Sequence, residues 1–525
     1  MKRFVGLDLH KHSAVICVID CGGKVLAGYE LAVSRESIEA FARRWLQAED
    51  ELVLEATTNT WAVVDLLRPF VARIAIANPL RVRAIAEARV KTDKIDAHIL
   101  AQLLRNDFLP EVWIPDSETR SLRERCAERA ALAADQTRIK NRLQSLLAQR
   151  LIRVEVPELF NPRGRRWLKD LELAACDRAV VESLLRVLDQ LEKEQRELEK
   201  TLAQLSYRNE SIRLLMTLPG LGPLGAQALY AALGDWRRFA DGDHAASYLG
   251  LTPSTRQSAQ HSYHGSITKA GNPLARWLLT QAARQVARHP GPLGVFFRRL
   301  CARKNHQVAV VATARKMVTI GFLMLKHHQP YRYSLPAPTQ RKLAALRIQG
   351  SNQRRPKGKA RLPVERREPG VRVLSIPALN EVYQSEDLLP VPSVEDLAPG
   401  ERRSLKQMGI AHLPAELQKW VAALTTPKAR NPVNYQQLLT NPKKLRKQLL
   451  RAILERLSRP PRGEQNSYYA ESVPRQARGV RCGAVLKPSP KLKLGNSHSN
   501  CSSGGVLVLD LPVTDWDNWH TPCME

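Results

Sequence analysis

Cysteine is scarce in this chain of 525 residues, and its eight copies are scattered. Only Cys17 and Cys21 lie close together, on a predicted strand and in the turn that follows it. No second close pair is available to complete a zinc site. We therefore expect neither a zinc site nor a disulfide framework, but free thiols in a reducing cytoplasm.

Long apolar segments are also lacking. The longest uncharged run, Leu214 to Gly234, is broken in its middle by prolines and glycines. We therefore expect a turn between two helices there, and no membrane partner. The opening MKRFVGLDLHKH is basic, but Asp8 and His10 interrupt its apolar run too early for a signal sequence.

Acidic residues are in the minority. The chain has 51 Asp and Glu against 81 Lys and Arg, which gives a formal net charge of +30. A charge of this size and sign favours a polyanionic partner, and nucleic acid is the commonest one. A membrane surface is the weaker interpretation, because no basic amphipathic anchor is evident.

The sequence divides into four regions by composition and periodicity. They are 1–115, 116–210, 211–333 and 334–525. In the first, the order is three strands, then helix, strand, helix, strand and helix, which predicts an α/β domain. Ser34 and Asn59 are the expected N-caps of its first two helices.

The second region is predicted to be helical, with a coiled-coil seam. Leucines recur there at spacings of three, four and seven: Leu184, Leu188, Leu191, Leu198, Leu202 and Leu205. Gln195 fills the gap in this seam, and a stretch through Leu132, Ile139, Leu143 and Leu146 could be an antiparallel partner. Self-association and a hairpin within one chain both remain open.

The third region opens with a glycine-rich turn, LPGLGPLG. Gly220 and Gly222 flank Leu221 and precede a helix, which resembles the helix-hairpin-helix turn used against a DNA backbone. The alternative is a turn with no ligand. Later, Asn272 and Pro273 mark the start of another helix, so the region is expected to be mainly α-helical.

The fourth region holds 20 of the 33 prolines. Apart from one strongly basic helix, NPKKLRKQLLRAILERLSR, we expect it to be a basic, proline-rich extension that is partly disordered.

Four acidic residues carry the chemistry that we predict for the first region. Asp8 lies near the end of the first strand and Glu55 ends a later one, and Asp93 and Asp96 share one face of the helix that closes the α/β unit. Four such carboxylates suit one or two Mg²⁺ ions, which stabilise the attacking and leaving oxygens of a phosphoryl transfer. The alternative is that Asp93 caps its helix and Asp96 is a solvated surface charge.

Residues 1 to about 333 resemble the DEDD-type insertion-sequence transposases. The segments that carry the resemblance are FVGLDLHKHS, LVLEATTNTW, IANPLRVRAIAEARVKTDKIDAHILAQLLR and YLGLTPSTRQSAQHSYHGSITKAGNPLARWLL. The resemblance implies an RNase H-like first domain, a coiled coil and a second transposase domain. It also implies Asp8, Glu55, Asp93 and Asp96 as Mg²⁺ ligands, and a structured bridge RNA that pairs with donor and target DNA.

The resemblance further implies a serine nucleophile that forms a 5′-phosphoserine intermediate. The loop offers Ser254, Ser258, Ser262 and Ser266, and alignment with the family's pattern places Ser258 at the nucleophile position. The chain departs from that pattern at Ala259, where the family usually has glycine. Serine needs a base or a metal nearby to become a nucleophile.

Together these observations predict an RNA-guided DNA transposase that is oligomeric, cytoplasmic and associated with the nucleoid. Lys269 and Arg276, near the serine loop, are candidate phosphate contacts; ordinary surface charge is the alternative. A hydrolytic Holliday-junction-type nuclease and a catalytically inactive nucleic-acid-binding regulator are the competing functions.

Overall fold

The first region of the chain contains a six-stranded sheet. The computed structural model describes residues 2–85, 92–258, 261–351, 364–368, 371–374, 378–392 and 394–415. The strands are β1 (Phe4–Leu9), β2 (Ser13–Ile19), β3 (Val25–Ala32), β4 (Glu51–Glu55), β5 (Arg73–Ala77) and β6 (Glu111–Val112). Their order in the sheet is β3-β2-β1-β4-β5-β6. The first three strands are antiparallel neighbours, β1, β4 and β5 run parallel, and β6 is antiparallel to β5.

Helices cover both faces of this sheet. They are α1 (Arg35–Trp45), α2 (Thr60–Leu67), α3 (Pro79–Ile85) and α4 (Asp93–Arg105). Alternate residues of each strand point to opposite faces, so the sheet has two cores. One core joins Leu7 and Leu54 to α1 and α2, and the other joins Val53 to α4. The predicted α/β order is confirmed, and so is Ser34 as the cap of α1, since its side chain accepts from the Ser37 amide.

Helix α4 lies unusually close to the central strand. A Cβ atom added at Gly6 would lie 1.9 Å from the Ala97 carbonyl oxygen and 2.7 Å from the Ala101 nitrogen. The absence of a side chain at Gly6 therefore lets the helix backbone rest directly on β1. This contact fixes the height of α4 above the sheet.

The second region is helical, as predicted, and consists of α5 (Ser117–Gln149), α6 (Pro162–Asp170) and α7 (Ala175–Arg208). Its two long helices are antiparallel, since Arg129 bonds to Glu199 and Arg150 to Asp177.

The predicted partner stretch does lie against the leucine seam, within one chain. The Gln136 amide donates to the side-chain oxygen of Gln195 over 2.8 Å, so the polar residue in the seam has a partner on the facing helix. Leu184, Leu188 and Leu202 are buried, whereas Leu205 is exposed. Coiled-coil geometry itself stays a prediction.

The third region combines helices with one β-hairpin. Its elements are α8 (Glu210–Met216), α9 (Pro223–Leu233), α10 (Gly242–Tyr248), β7 (Pro253–Ser258), β8 (His261–Ile267), α11 (Pro273–Val286), α12 (Pro292–Arg303) and α13 (His306–His327). The uncharged run around Pro219 is a turn between α8 and α9, as expected, and Asn272 caps α11.

Helix α13 alone among the described residues is long and apolar enough to raise the question of a membrane span. It packs against α10, α11 and α12, and Ala314, Met317 and Val318 are fully buried. These contacts are those of the central core helix of the third region.

Folded elements continue beyond residue 333. They are α14 (Pro336–Gly350), β9 (Val364–Glu368), β10 (Val371–Leu374), α15 (Leu379–Gln384) and α16 (Pro399–Gln407). Helix α14 packs against α7 and α8, and Tyr383 of α15 is fully buried with its hydroxyl donating to the Tyr331 carbonyl. The basic helix predicted at 441–459 lies outside the described residues.

Candidate active site

Asp8 and Glu55 lie at the ends of two adjacent parallel strands. Leu7 of β1 is in register with Leu54 of β4, and the two acids follow directly. Each acid lies two positions after a residue that faces α4: Asp8 after Gly6, and Glu55 after Val53. Both are therefore on the face of the sheet that α4 covers.

Asp93 and Asp96 occupy the first turn of α4. The N-cap is Thr92, whose hydroxyl accepts from the Ile95 amide, so Asp93 is not the cap that the alternative interpretation required. Negative charge is favoured in this turn by the positive end of the helix dipole. Since the next turn of α4 rests on Gly6, the first turn lies at the Asp8 end of β1.

His10, which is not among the four predicted acids, contacts two of them. Its Nε2 lies 3.3 Å from Asp8 Oδ2 and 3.4 Å from Asp93 Oδ2. Asp8 is buried, at 7% exposure, whereas His10 and Asp93 are accessible. A histidine two residues after the strand acid was the available signal, but nothing local indicated which way its ring turns.

The loop after β4 is tied to the loop after β1. Asn59 Nδ2 donates to the His10 carbonyl over 3.1 Å, and its Oδ1 accepts from the Thr57 hydroxyl. Helix α2 does begin after Asn59, but the side chain does not cap it as predicted, because it is used in this bridge instead. The Thr60 hydroxyl in turn donates to the Glu55 carbonyl. These bonds fix the two strand ends relative to each other.

His98 and Cys17 form a second contact on the same face, deeper under α4. Cys17 Sγ lies 3.6 Å from His98 Nδ1. Burial raises the pKa of the Cys17 thiol, which keeps it protonated and unreactive at neutral pH. The pair packs the helix onto β2 and has no evident chemical role.

The ligand atoms near Asp8 fit a divalent cation. One atom each from Asp8, His10 and Asp93 lie within 4.8 Å of one another. Carboxylate oxygens are the ligands that Mg²⁺ prefers, and a neutral imidazole is compatible with a divalent ion. Glu55 and Asp96, on the same side of the sheet, both have contacts within the protein.

Ser258 ends β7 and pairs in register with His261 of β8. The side chains of Ser258 and Ser262 lie outside the described residues, as does the turn at Ala259 and Gln260. The predicted nucleophile therefore has a described backbone position, at the tip of a two-stranded hairpin.

Glycines hold the base of this hairpin. Gly250 and Gly271 both have positive φ, +66° and +69°. A Cβ at Gly250 would lie 2.3 Å from the Ala270 nitrogen, and one at Gly271 would lie 2.1 Å from the Tyr248 carbonyl oxygen. The two ends of the hairpin are thus packed backbone to backbone, while Thr255, at its middle, is exposed.

The two predicted phosphate contacts differ in their surroundings. Lys269 is exposed and has an unusual φ of +56°, next to the hairpin base. Arg276 instead donates from Nη1 to the carbonyls of Leu249 and Ala270, at 3.1 and 2.6 Å. Part of its hydrogen bonding is therefore used to hold the hairpin; phosphate binding by either residue stays a prediction.

The glycine-rich turn between α8 and α9 is packed on one side and open on the other. Gly220, with φ of +79°, approaches the Ala282 carbonyl, whereas a Cβ on Gly222 would meet nothing within 4 Å. Lys342 donates to three carbonyls of this turn and the end of α8: Met216, Leu218 and Leu221. Burial lowers the Lys342 pKa to about 7. The predicted DNA contact at Gly220 and Gly222 stays a prediction. Only the Gly222 side of the turn has room for a phosphate.

Carboxylates lie at the ends of parallel strands in a strongly basic chain. This combination is typical of enzymes that act on nucleic-acid phosphates. A family model described as a transposase, of the DEDD type found in IS110, matches residues 5–151. A second model, described as a transposase of the IS116/IS110/IS902 family, matches residues 212–296. The chain is a relative of these DEDD-type insertion-sequence transposases, as its sequence motifs indicated.

The matches to two curated relatives cover most of the length of each relative. The pilin gene-inverting protein of Moraxella lacunata is 25% identical over 351 residues, which are 63% of this chain and 98% of that protein. The transposase for insertion sequence element IS1111A of Coxiella burnetii is 25% identical over 350 residues, 63% of this chain and 91% of that protein. These comparisons support a transposase or recombinase function, exerted on DNA.

Proposed function

We propose that the chain is a Mg²⁺-dependent DNA transposase that cuts and rejoins strands with four acids and a serine nucleophile, guided by RNA. The observation that carries the proposal is the convergence of Asp8, His10 and Asp93 within 4.8 Å at the end of β1. Glu55 ends β4 and Asp96 lies in the first turn of α4, on the same side of the sheet, so we propose both as further ligands of this metal site.

The acids have distinct tasks in this proposal. Asp8 is buried and fixed on the central strand, so it is the rigid ligand, and Asp93 and Asp96 are brought to it by the first turn of α4. A bound Mg²⁺ supplies positive charge that stabilises the phosphate oxygens during strand exchange. His10 orients the Asp8 and Asp93 carboxylates through contacts of 3.3 and 3.4 Å.

Ser258 is the proposed nucleophile. Its oxygen forms a bond to phosphorus while the bond from phosphorus to the 3′ oxygen breaks. The serine proton passes to a nearby base, and the leaving oxygen gains a proton to become a free 3′ hydroxyl. A hairpin whose base is held backbone to backbone at Gly250 and Gly271 is a suitable carrier, because it fixes the strand that ends in Ser258.

RNA guidance and assembly belong to the same proposal. With a net charge of +30 the protein can hold backbone phosphates, while base pairing by the guide reads the target sequence. We propose a homo-oligomer in which the serine of one subunit meets the acids of another. We also propose that the protein is cytoplasmic and associated with the nucleoid. The domains proposed are 1–115, RNase H-like; 116–210, helical; 211–333, serine-bearing; and 334–525, an extension.

Covalent trapping tests the proposal directly. Purified protein is incubated with its flanking RNA, element-end DNA and Mg²⁺, and a protein–DNA adduct is sought on a denaturing gel. We expect the adduct with wild type, its loss in Ser258→Ala and in Asp96→Ala, and its retention in Ser254→Ala. Ser254 is the matched control, since it lies exposed on the same strand.

One observation favours a second candidate, the hydrolytic junction nuclease: among the residues that the structure describes, Asp8, His10 and Asp93 converge with no partner from the serine hairpin. Nicking without an adduct, unaffected by Ser258→Ala and abolished by Asp96→Ala, would establish that function. Tight binding without strand breakage in any of the proteins would leave a nucleic-acid-binding regulator.

A further inference from the structure

A cleft of about 320 Å³ lies between α12, α13 and α16. Its lining residues lie between positions 296 and 316 and between 404 and 408, and none of them belongs to the proposed reaction. The second family match ends at residue 296. Most of its lining therefore comes from beyond the matched regions. Its volume is at the small end of the range of about 300–1,000 Å³ that is usual for ligand clefts.

Three cationic side chains line this cleft, and no acidic residue does. Arg299 and Arg303 are four positions apart on α12, so they share one face of that helix, and Lys316 comes from α13. Among the described residues, no ion pair links any of the three to a carboxylate. By contrast, the neighbouring Arg315 is paired with Asp243 at 3.2 Å. Unneutralised like charges that line one cleft disfavour each other, and a bound anion relieves that cost.

The third wall is held in place by contacts that keep acidic charge away from the cleft. Glu401, the one acid of α16, bonds to the Tyr333 hydroxyl and is 3.8 Å from Arg332. Arg299 Nη1 donates to the Gln407 carbonyl at 3.4 Å, and Leu405 is buried. Helix α16 is thus docked by its acid and its apolar side.

The remaining lining is suited to a nucleotide unit rather than to a bare ion. Ser404 offers a hydroxyl donor, and Phe296 and Met408 offer apolar surface beside the cations. Arginine and lysine next to apolar or aromatic surface can hold a phosphate and pack against the attached sugar or base.

We infer that this cleft binds the phosphodiester backbone of a nucleic-acid strand, with Arg303 and Lys316 as its main phosphate contacts. The inference rests on the proposed function, which supplies two such strands, the guide RNA and the DNA. It assigns to α16 a role in nucleic-acid binding outside the regions that match the family.

The test measures binding of full-length protein to a labelled single-stranded RNA and to a DNA duplex over a range of salt. The variant is Arg303→Gln/Lys316→Gln, which leaves Arg299 to anchor α16. The control is Arg35→Gln/Arg43→Gln, which removes the same charge from exposed positions of α1, on the opposite face of the sheet from α4. Unchanged thermal unfolding shows that both variants are folded.

We expect the cleft variant to reduce the steepness of the negative slope of log Kobs against log salt, by about 1.4 for a single strand and about 1.8 for duplex DNA, from two lost contacts. The probe that shows the larger loss identifies the strand. A second variant, Ser404→Asp, adds a negative charge without removing a cation and should weaken the same probe. Slopes and affinities equal to those of the α1 control, with both probes, would overturn the inference.

The covalent-trapping assay separates this inference from the proposed function. If the cleft variant binds like the control while wild type forms an adduct, the inference fails and the transposase stands. If no protein forms an adduct but the cleft variant loses affinity, the proposed chemistry fails and the cleft is still a nucleic-acid site.

Discussion

The acidic site and the serine hairpin are built in opposite ways. Asp8 lies on the central strand of a six-stranded sheet, under a helix that touches the strand backbone at Gly6. Ser258 ends one strand of a two-stranded hairpin whose middle is exposed at Thr255 and whose base is packed at Gly250 and Gly271. The first is a rigid site; the second has a rigid base and an exposed middle, which suits a nucleophile that must meet a substrate held elsewhere.

The largest expected effect is at the rigid site. Asp8→Asn removes a buried negative charge from the proposed metal position but keeps the shape of the side chain. Since metal stabilisation of a reacting phosphate contributes several kcal/mol, we expect strand cleavage to fall by roughly 10³-fold.

Thermal unfolding gives a second measure of Asp8→Asn. Added Mg²⁺ should raise the melting temperature of wild type and not that of the variant. The control is Glu39→Gln, on α1 at the opposite face of the sheet. Equal cleavage by wild type and Asp8→Asn would exclude the acidic site as the catalytic one.

The second effect tests whether the contact of α4 with β1 is essential. In Gly6→Ala the new methyl group would lie 1.9 Å from the Ala97 carbonyl, so α4 must move and carry Asp93 and Asp96 with it. Overpacking of this kind costs about 1–3 kcal/mol, which urea denaturation would measure, and we expect cleavage to fall as well.

A matched glycine on the same sheet is the control. At Gly28 of β3 an added Cβ would be 3.8 Å from the Ile16 carbonyl, an ordinary contact, so Gly28→Ala should keep near wild-type stability and full cleavage. If both alanine variants behaved alike, the close approach at Gly6 would not be what positions the acids.

Sequence patterns predicted the rigid region well and the hairpin poorly. The strand order along the chain and the amphipathic α4 follow from apolar periodicity, which a two-faced sheet enforces strongly. The roles of the four acids stay a prediction. The hairpin strands were expected to be a loop, because PSTRQS and HSYHGSI contain few apolar residues, so their alternation has little contrast. Residues 253–257, 263, 264 and 266 are exposed, which accounts for that composition.

Two features of the acidic site depend on tertiary contacts and could not be predicted locally. His10 contacts Asp93, 83 positions later by number, only because α4 crosses β1 at Gly6. Asn59 was expected to cap α2, since asparagine often does so, but its amide instead bridges to the His10 carbonyl. In both cases the competing partner comes from another strand or helix.

A third effect concerns DNA affinity at the glycine-rich turn. Gly222→Ala places a methyl group in open space, on the side where a phosphate would approach the main chain. If the turn contacts DNA, we expect affinity to fall about tenfold, roughly the 1.4 kcal/mol of one lost contact. Stability should change by less than about 1 kcal/mol, as is usual for a replaced N-cap glycine.

The outcome at Gly222 separates the two interpretations of the turn. The comparison variant is Gly220→Ala, which would place a methyl group 2.4 Å from the Ala282 carbonyl and should destabilise the fold instead. Unchanged DNA affinity in Gly222→Ala would leave the segment as a turn without a ligand.

A fourth effect is a pH dependence of stability that arises at Lys342. Burial lowers the pKa of this ammonium group from 10.5 to about 7. The nearby His289 has its own pKa lowered to about 3, mainly by burial, so it carries no charge between pH 7 and 10.5. Between pH 7 and 10.5 the unfolded chain therefore binds a proton that the folded chain lacks. The Lys342 term therefore makes stability rise with pH across that range, by up to about 1.4 kcal/mol per pH unit.

Urea denaturation of wild type and Lys342→Met at pH 7.0, 7.8 and 8.5 measures this term. The range stays below the onset of ionisation for ordinary tyrosines, so the difference between the two slopes isolates Lys342. Lys342→Met should be less stable overall, because three carbonyls of the glycine-rich turn lose their donor, and its stability should rise less steeply with pH. Parallel slopes would mean that Lys342 stays charged in the fold, stabilised by those three carbonyls. The turn would then be held by a buried cation at every pH at which the protein works.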